Sequence, residues 1–369
     1  MDQTTKLTPG SGDVLIVVGT VKGAFIFHGN AQRGDFKMSG PHFRGVSVWS
    51  AAYLDVGAAR ILLGNKSEHW GAMVNWSDDF GRTWNEPAEG NIKFPREGGM
   101  ALNAVWALEA ATGIGPDVVL AGVDPAAMFR SDDRGETFKV NEGLLNHPDR
   151  AKWNPGFGGL CLHSILVHPT DPKRMYIAIS SGGIYRTDDG GETWSSCTNG
   201  LRVNPDVPGA TLCPHKIRFD AENPARLYLQ NHPGVYRTDN DARSWVTIEN
   251  GLPSDFGFPM VAHPRRGGTI YTFPLAADAD RVPKDGVPRV WRSRDAGASW
   301  TPLGAGLPER NGYFTVLRDA FCADTLDPAG LYFGTRGGQL YGSSDEGESW
   351  RAIAEYLPPV LYVKAAVVN

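Results

Sequence analysis

The sequence has little of what marks several protein classes. Four cysteines in 369 residues are too few for a disulfide scaffold, and no apolar run is long enough to span a membrane. The formal net charge of −5 offers no basic surface for nucleic acid. Residues 1–6 lead into no apolar segment of a secretory signal. We therefore expect no membrane or nucleic-acid partner, and a cytoplasmic protein with reduced thiols.

Glycine and proline are abundant instead, with 45 and 26 residues, so turns must be frequent. One octet recurs with starts 50 to 56 residues apart. Its copies are SDDFGRTW (77–84), SDDRGETF (131–138), TDDGGETW (187–194), TDNDARSW (238–245), SRDAGASW (293–300) and SSDEGESW (343–350). The fourth copy has Asn240 and Ala242 where the pattern has Asp and Gly, which predicts a looser turn. A repeat of this period is typical of propellers and other repeat folds.

The octet resembles the Asp-box, or BNR, repeat of sialidases, sortilin-type receptors and propeller glycosidases. The chain as a whole is similar to bacterial propellers that are labelled sialidase-like or glycosyl-hydrolase-like. The resemblance implies structural hairpins that join the outer strands of each blade. In such a turn the third-position Asp accepts hydrogen bonds from loop amides, and the Gly adopts a positive φ. The final aromatic residue packs under the hairpin.

Each repeat also contains four short stretches of strand-forming residues, as a propeller blade requires. In the third repeat these begin with 162–168, 174–180 and 183–187. Residues 14–19 and 24–28 lack an inner partner, which 360–368 would supply. We therefore predict an all-β, seven-bladed β-propeller, with one domain over 1–369 and the last blade closed by both termini. Six blades is the alternative.

Alignment of the inner strands reveals candidate metal ligands. Blades 3 and 4 both carry Cys-x-His, as Cys161 with His163 and Cys213 with His215. His232 ends the second strand of blade 4, and three converging imidazoles would suit a divalent ion such as zinc, manganese, iron or copper. The histidines could instead hydrogen-bond across the channel or act as acid–base groups. The cysteines are either further ligands or, as we favour, small buried hydrophobes.

Other polar residues are expected around the same mouth of the channel. We predict Asp319, Asp255 and Lys216 as catalytic groups. The predicted substrate contacts are Lys22, Arg318, Arg336, Gln230, Asp124 and Trp70. Arginine and lysine suit a carboxylate or phosphate, although ion pairs with Asp124 or Asp319 could engage them instead. Gln230 with His232 is loosely similar to the ligand set of oligogalacturonate lyases, which are seven-bladed propellers that bind a divalent ion.

These residues favour a metal-dependent hydrolase or lyase that acts on a small polar or anionic, possibly carbohydrate-like, substrate. The chain lacks the Arg-Ile-Pro motif and a convincing arginine triad, so a typical sialidase is not expected. A metal-free glycosidase with paired carboxylates is one alternative. A non-catalytic binding or assembly propeller is another, because the fold alone assigns no chemistry. The oligomeric state is left open.

Overall fold

The computed structural model describes residues 6–69, 71–156, 158–203 and 212–369. Almost all regular structure in these residues is β, arranged as six four-stranded sheets and one three-stranded sheet. The prediction of an all-β propeller with seven blades is confirmed. The chain divides into two compact units, residues 1–196 with 368–369 and residues 197–367. The assignment of 1–369 to a single domain stays a prediction.

The first unit contains the strands of blades 1, 2 and 3 and three strands of blade 7. Blade 7 has β1 (Val14–Thr20), β2 (Gly23–Gly29) and β3 (Lys37–His42), and blade 1 has β4 (Ser47–Leu54), β5 (Arg60–Ser67) and β6 (Gly71–Ser77). Blade 2 has β7 (Ala104–Ala110), β8 (Val119–Asp124), β9 (Ala127–Ser131) and β10 (Lys139–Val140). Blade 3 has β11 (Leu162–His168), β12 (Asp171–Ile179), β13 (Gly183–Thr187) and β14 (Ser195–Ser196). Neighbouring strands are antiparallel, as short connections require.

The second unit contains blades 4, 5 and 6. Blade 4 has β15 (Pro214–Phe219), β16 (Leu227–Asn231), β17 (Val235–Thr238) and β18 (Val246–Thr247). Blade 5 has β19 (Gly257–Ala262), β20 (Ile270–Pro274), β21 (Val290–Ser293) and β22 (Thr301–Leu303). Blade 6 has β23 (Phe321–Ala323), β24 (Leu331–Gly334), β25 (Leu340–Ser343) and β26 (Arg351–Ala354), and β27 (Val360–Val367) follows it.

The ends of the chain complete blade 7, as the sequence predicts. Its sheet has the strand order β27-β1-β2-β3. The Gly12 amide donates to the Val368 carbonyl at 2.8 Å, and the Val368 amide donates to the Asp13 carbonyl at 2.9 Å. This pairing leaves the first strand without an open inner edge, which would otherwise invite pairing with another chain.

Helices are short and lie in connections. They are α1 (Glu142–Leu145) and 3-10 turns at Arg96–Gly98, Pro148–Lys152 and Lys284–Gly286. In the part of the chain that the structure describes, no helix has the length and apolar character needed to cross a membrane.

The hydrophobic core lies between the faces of successive sheets. In the first unit, Leu120 and Met128 of blade 2 pack in one cluster with Ile177 and Tyr185 of blade 3, and all four are almost fully buried. A second-unit cluster joins Tyr228 of blade 4 to neighbours from blade 5 in the same way. Each sheet therefore buries both faces, which explains strands made of continuous apolar runs.

The octets close the outer turns with one repeated hydrogen-bond network. In the blade 2 copy, the Ser131 hydroxyl donates to Asp133 Oδ1 at 2.6 Å and accepts the Gly135 amide at 2.8 Å. Asp133 Oδ1 also accepts the Thr137 amide at 2.9 Å. Burial raises the pKa of Asp133, but these hydrogen bonds outweigh it, so the pKa lies below its usual value. The ionised carboxylate is therefore the group that the turn stabilises.

The fourth octet keeps this network despite its two substitutions. Asn240 Oδ1 accepts the Thr238 hydroxyl at 2.8 Å and the Ser244 amide at 3.0 Å. Ala242 adopts φ of 62° in the place of the usual glycine, and its amide lies 3.2 Å from the Thr238 hydroxyl. An amide side chain thus supplies the acceptor that the carboxylate supplies elsewhere.

We predict that Asp133→Ala lowers the free energy of unfolding by about 1–2 kcal/mol, because an exposed turn loses several charge-assisted hydrogen bonds. Asp133→Asn should cost less, since Asn240 fills this role naturally. The contribution of Asp133 should be full above the unfolded-state pKa and disappear as the pH falls through the folded pKa. Urea denaturation at neutral and acidic pH measures both effects. Asp132→Ala, which removes only a surface ion pair with Arg130, is the control.

Candidate metal centre

Blade 4 brings three potential ligands together beside the start of β15. Cys213 directly precedes β15, His215 is the second residue of that strand, and His232 directly follows β16. Their ligand atoms all lie within 4.8 Å of one another. The His232 amide donates to the Cys213 carbonyl at 2.9 Å, which fixes the two chain segments side by side.

A β-bulge aims His215 at this cluster. The register passes from the Pro214–Asn231 pair to the Lys216–Gln230 pair and skips His215. Such an extra residue bends the strand and redirects its side chain.

The cluster has the electrostatics of a thiolate held by imidazoles. Burial raises the pKa of Cys213, but hydrogen bonds with His215 and His232 and the charge of Arg318 outweigh it and lower the pKa to about 4. The hydrogen bond with Cys213 raises the pKa of His232. Burial lowers the pKa of His215. The three groups therefore influence one another's protonation.

Blade 5 fixes the orientation of His215. The Nδ1 atom of His215 lies 2.6 Å from the Gly257 carbonyl oxygen, so Nδ1 carries the proton and Nε2 keeps its lone pair. The ring also packs against Phe258, with centroids 4.8 Å apart, and against Phe256 at 5.7 Å. With only 2% of its surface exposed, His215 has little freedom to turn.

The loop after β20 supplies a partner for His232. Asp278 Oδ2 lies 3.7 Å from His232 Nε2, while Asp278 Oδ1 accepts Arg281 Nη2 at 2.8 Å. Arg281 in turn lies over the Phe258 ring at 5.4 Å. The arrangement directs one carboxylate oxygen at the imidazole.

His163 does not belong to the ligand group found in the described residues, so Cys213 takes the place predicted for it. Blade 3 has the same bulge, which skips His163, and the His163 Nδ1 atom lies 3.0 Å from the Ser164 hydroxyl. Ser180 donates its amide to the Cys161 carbonyl, as His232 does to Cys213. Serine therefore stands in blade 3 where blade 4 has its second histidine. The two uses considered for Cys213, as a further ligand or as a small buried hydrophobe, both stay predictions.

Gln230, predicted to contact substrate, is buried and hydrogen-bonds to the backbone next to the cluster. It is 1% exposed, and its Nε2 donates to the carbonyls of Asn231 and Asp255, each at 3.0 Å. A Cβ on Gly257 would lie 3.3 Å from Gln230 Oε1. The geometry thus gives Gln230 the role of holding the segment that presents the Gly257 carbonyl.

Lys216 and Asp319, predicted as catalytic groups, form a buried ion pair between blades 4 and 6. Their side chains are 5% and 8% exposed. Lys216 directly follows His215, and Asp319 directly follows Arg318, whose charge acts on Cys213 and His215. For Lys216 the structure therefore shows the ion-pair alternative. Asp319 Oδ2 accepts no hydrogen bond from the part of the chain that is described.

The remaining predicted residues are not members of the ligand group found in the described residues. In the first unit Lys22 is exposed and Asp124 is half-buried, where burial raises the pKa of Asp124. In the second unit Arg336 is exposed, and the exposed Asp255 lies 3.5 Å from Arg202 Nη2. Trp70 lies outside the described residues. The substrate and catalytic roles assigned to these residues stay predictions.

Sequence reasoning missed Asp278 and a tryptophan pair. Trp49 and Trp106 are half-buried in the first unit, with ring centroids 4.5 Å apart. Each is the residue that a bulge skips in its inner strand, β4 or β7, at the position equivalent to His163 and His215. Alignment of all inner strands on that position would have found both tryptophans.

Comparison with known proteins shows similarity to xyloglucanases and to solved propellers, and it assigns no family. No family model matches it. It is 25% identical over 221 residues to the oligoxyloglucan-reducing end-specific xyloglucanase of Emericella nidulans, covering 53% of this chain and 24% of the relative. The chain thus spans about a quarter of that relative's length.

Solved structures support the fold. An ancestral GH74 enzyme superposes with a TM-score of 0.57 at 15% identity, over 84% of this chain and 38% of the other. YCF48 from Cyanidioschyzon merolae superposes with a TM-score of 0.50 at 15% identity, over 83% of this chain and 84% of the other. In sequence and fold the chain is therefore similar to glycosyl-hydrolase propellers.

We predict that Lys216→Met lowers the free energy of unfolding by about 3–5 kcal/mol, because it leaves the Asp319 carboxylate buried without its cation. The double variant Lys216→Met/Asp319→Leu should regain most of that loss, since no unpaired charge remains. Urea denaturation of the single and double variants measures the difference. An equal loss in both variants would contradict the ion pair. Lys173→Met, at an exposed position, is the control.

Proposed function

We propose that this protein is a metal-dependent hydrolase of the propeller class, with Cys213, His215 and His232 as ligands of one divalent cation. Its substrate would be small and polar, carbohydrate-like or anionic. The observation that carries the proposal is the approach of one sulfur and two imidazole nitrogens to within 4.8 Å. Three protein ligands leave a position open for water or substrate, which is the pattern of catalytic rather than structural sites.

The surroundings of the cluster suit such a centre. A bound cation supplies Lewis-acid polarisation and an activated water. Arg318, whose charge acts on Cys213 and His215, would attract an anionic group of the substrate. Asp319, held by Lys216 and with one oxygen not hydrogen-bonded by the described residues, would accept or return a proton. The chain itself thus supplies charge, orientation and a proton acceptor.

One finding favours a carbohydrate-like substrate and hydrolysis over elimination: the curated relative is named for its action on xyloglucan oligosaccharides. We also propose that the octets are Asp-box repeats and that the protein works in a reducing compartment such as the cytoplasm. No disulfide links the four cysteines in the part of the chain that the structure describes, and a thiolate ligand must stay reduced.

We predict that protein purified without a metal-affinity tag contains close to one divalent ion per chain, and that His215→Ala and His232→Ala lose it. His163→Ala should keep the metal, because this matched Cys-x-His position lies outside the ligand group. Elemental analysis by mass spectrometry, before and after chelation and reconstitution, measures the content. Metal lost equally from all three variants would argue against the site as placed here.

Hydrolysis should depend on the same residues. Xyloglucan oligosaccharides, aryl glycosides and sugar lactones form a suitable panel, with hydrolysis expected to stop on chelation and to return on reconstitution. Activity that survives chelation but is lost in Asp124→Asn or Asp319→Asn would indicate the metal-free glycosidase instead. Absence of both metal and turnover would favour a binding or assembly propeller.

A further inference from the structure

The identity of the three donors restricts which cation they select. Sulfur from Cys213 is a soft ligand, and the two imidazoles are of borderline character. Magnesium, calcium and manganese prefer carboxylate, carbonyl and water oxygens, whereas thiolate with imidazole suits zinc. The described ligand group contains no carboxylate, so it offers hard cations no strong protein ligand.

The spacing of the cluster also agrees with a small tetrahedral ion. Zinc bonds of about 2.3 Å to sulfur and 2.0–2.1 Å to nitrogen set neighbouring ligand atoms about 3.3–3.6 Å apart. The three atoms already lie within 4.8 Å, so side-chain shifts of about an ångström bring them to that geometry.

His215 has the outer contact that a bound metal ligand needs. It donates Nδ1–H to the Gly257 carbonyl, which leaves Nε2 for the cation. For His232, Asp278 Oδ2 lies 3.7 Å from Nε2, which is ion-pair distance and leaves Nδ1 for the cation. Histidine ligands of metals usually donate their second N–H to such a carbonyl or carboxylate.

We infer that the cation is thiophilic, with Zn²⁺ as its natural occupant, and that Asp278 is a positioning residue that orients His232 toward it. This inference rests on the proposed function and narrows the cation from any divalent ion to the thiophilic ones. Arg281 fixes Asp278 from the opposite side, through Nη2–Oδ1 at 2.8 Å. The Phe258 ring packs against His215, with centroids 4.8 Å apart, and the Phe256 ring packs against His232 at 5.2 Å.

The test is a competition between metals. Chelated protein is dialysed against equal concentrations of Zn²⁺ and Mn²⁺, and the bound metals are counted. Wild-type protein should retain zinc in at least tenfold excess over manganese. Cys213→Ser should lose zinc, and Cys213→Asp should shift the ratio toward manganese. Cys197→Ser, which removes another partly buried thiol of the same unit, is the control and should behave as wild type.

Substitution with cobalt tests directly, by absorption spectroscopy, whether sulfur is a ligand. Co²⁺-substituted wild-type protein should show a thiolate-to-cobalt charge-transfer band that is absent from Cys213→Ser. Stoichiometric binding of manganese in preference to zinc, or unchanged zinc binding in Cys213→Ser, would overturn the inference while leaving a metal-dependent enzyme in place. Binding of neither metal would instead refute the proposed function.

Asp278 has its own test. Asp278→Asn should weaken zinc affinity about 10–100-fold, as loss of an outer carboxylate partner does. Asp280→Asn, an exposed carboxylate of the same loop, should leave affinity unchanged. Competition with a chromogenic chelator measures affinity without reference to turnover. Equal affinity in wild type and Asp278→Asn would show that Asp278 does not position the ligand.

Discussion

The turn closed by an acidic side chain is the constraint on which this structure depends. In five octets one carboxylate, at Asp79, Asp133, Asp189, Asp295 or Asp345, accepts a hydroxyl and an amide within the same turn. These bonds are local, so each outer hairpin is specified by its own eight residues. With the outer hairpin fixed, the sheets bury their faces against one another through ordinary apolar packing. The inner strands are then free to differ in chemistry from blade to blade.

The chemical differences between the inner strands are concentrated at one repeated break in the strand register. The inner strands β4, β7, β11, β15 and β19 all break their register near the start. The single residue skipped is Trp49, Trp106, His163 or His215 in the first four strands. Bulges redirect side chains without disturbing the rest of a sheet, so the fold supplies a position and the sequence chooses its occupant. In blade 4 His232 also follows the second strand, where blade 3 has Ser180, so a second imidazole lies close to His215 and Cys213.

The sequence predicts the fold well because both of its determinants are local and repeated. The spacing of the six octets predicts six blades, and the unpaired strand-forming stretches at the two ends of the chain predict the seventh blade. Alignment of blades likewise finds His215 and His232, since their positions follow the same period. It gives no choice between ligation and simple burial for Cys213, because both favour the same residue type. It misses Asp278, which lies in a long connection without periodicity. It offers the Lys216–Asp319 pair, whose members are 103 residues apart, only as one of two alternatives. Such contacts depend on how blades meet, which no single repeat encodes.

The same cluster of atoms could serve a cysteine nucleophile, and its geometry distinguishes the two uses. A nucleophilic thiolate needs one imidazole as its base and an open approach for the substrate. Here both imidazoles lie within 4.8 Å of the sulfur, the His215 ring is oriented by its hydrogen bond to Gly257, and Asp278 lies 3.7 Å from His232. A nucleophilic thiolate would need only one of these imidazoles. A cation would bind both imidazoles and the sulfur at once. Its ligand bonds would offset the conformational entropy that is lost when the three side chains are held close together.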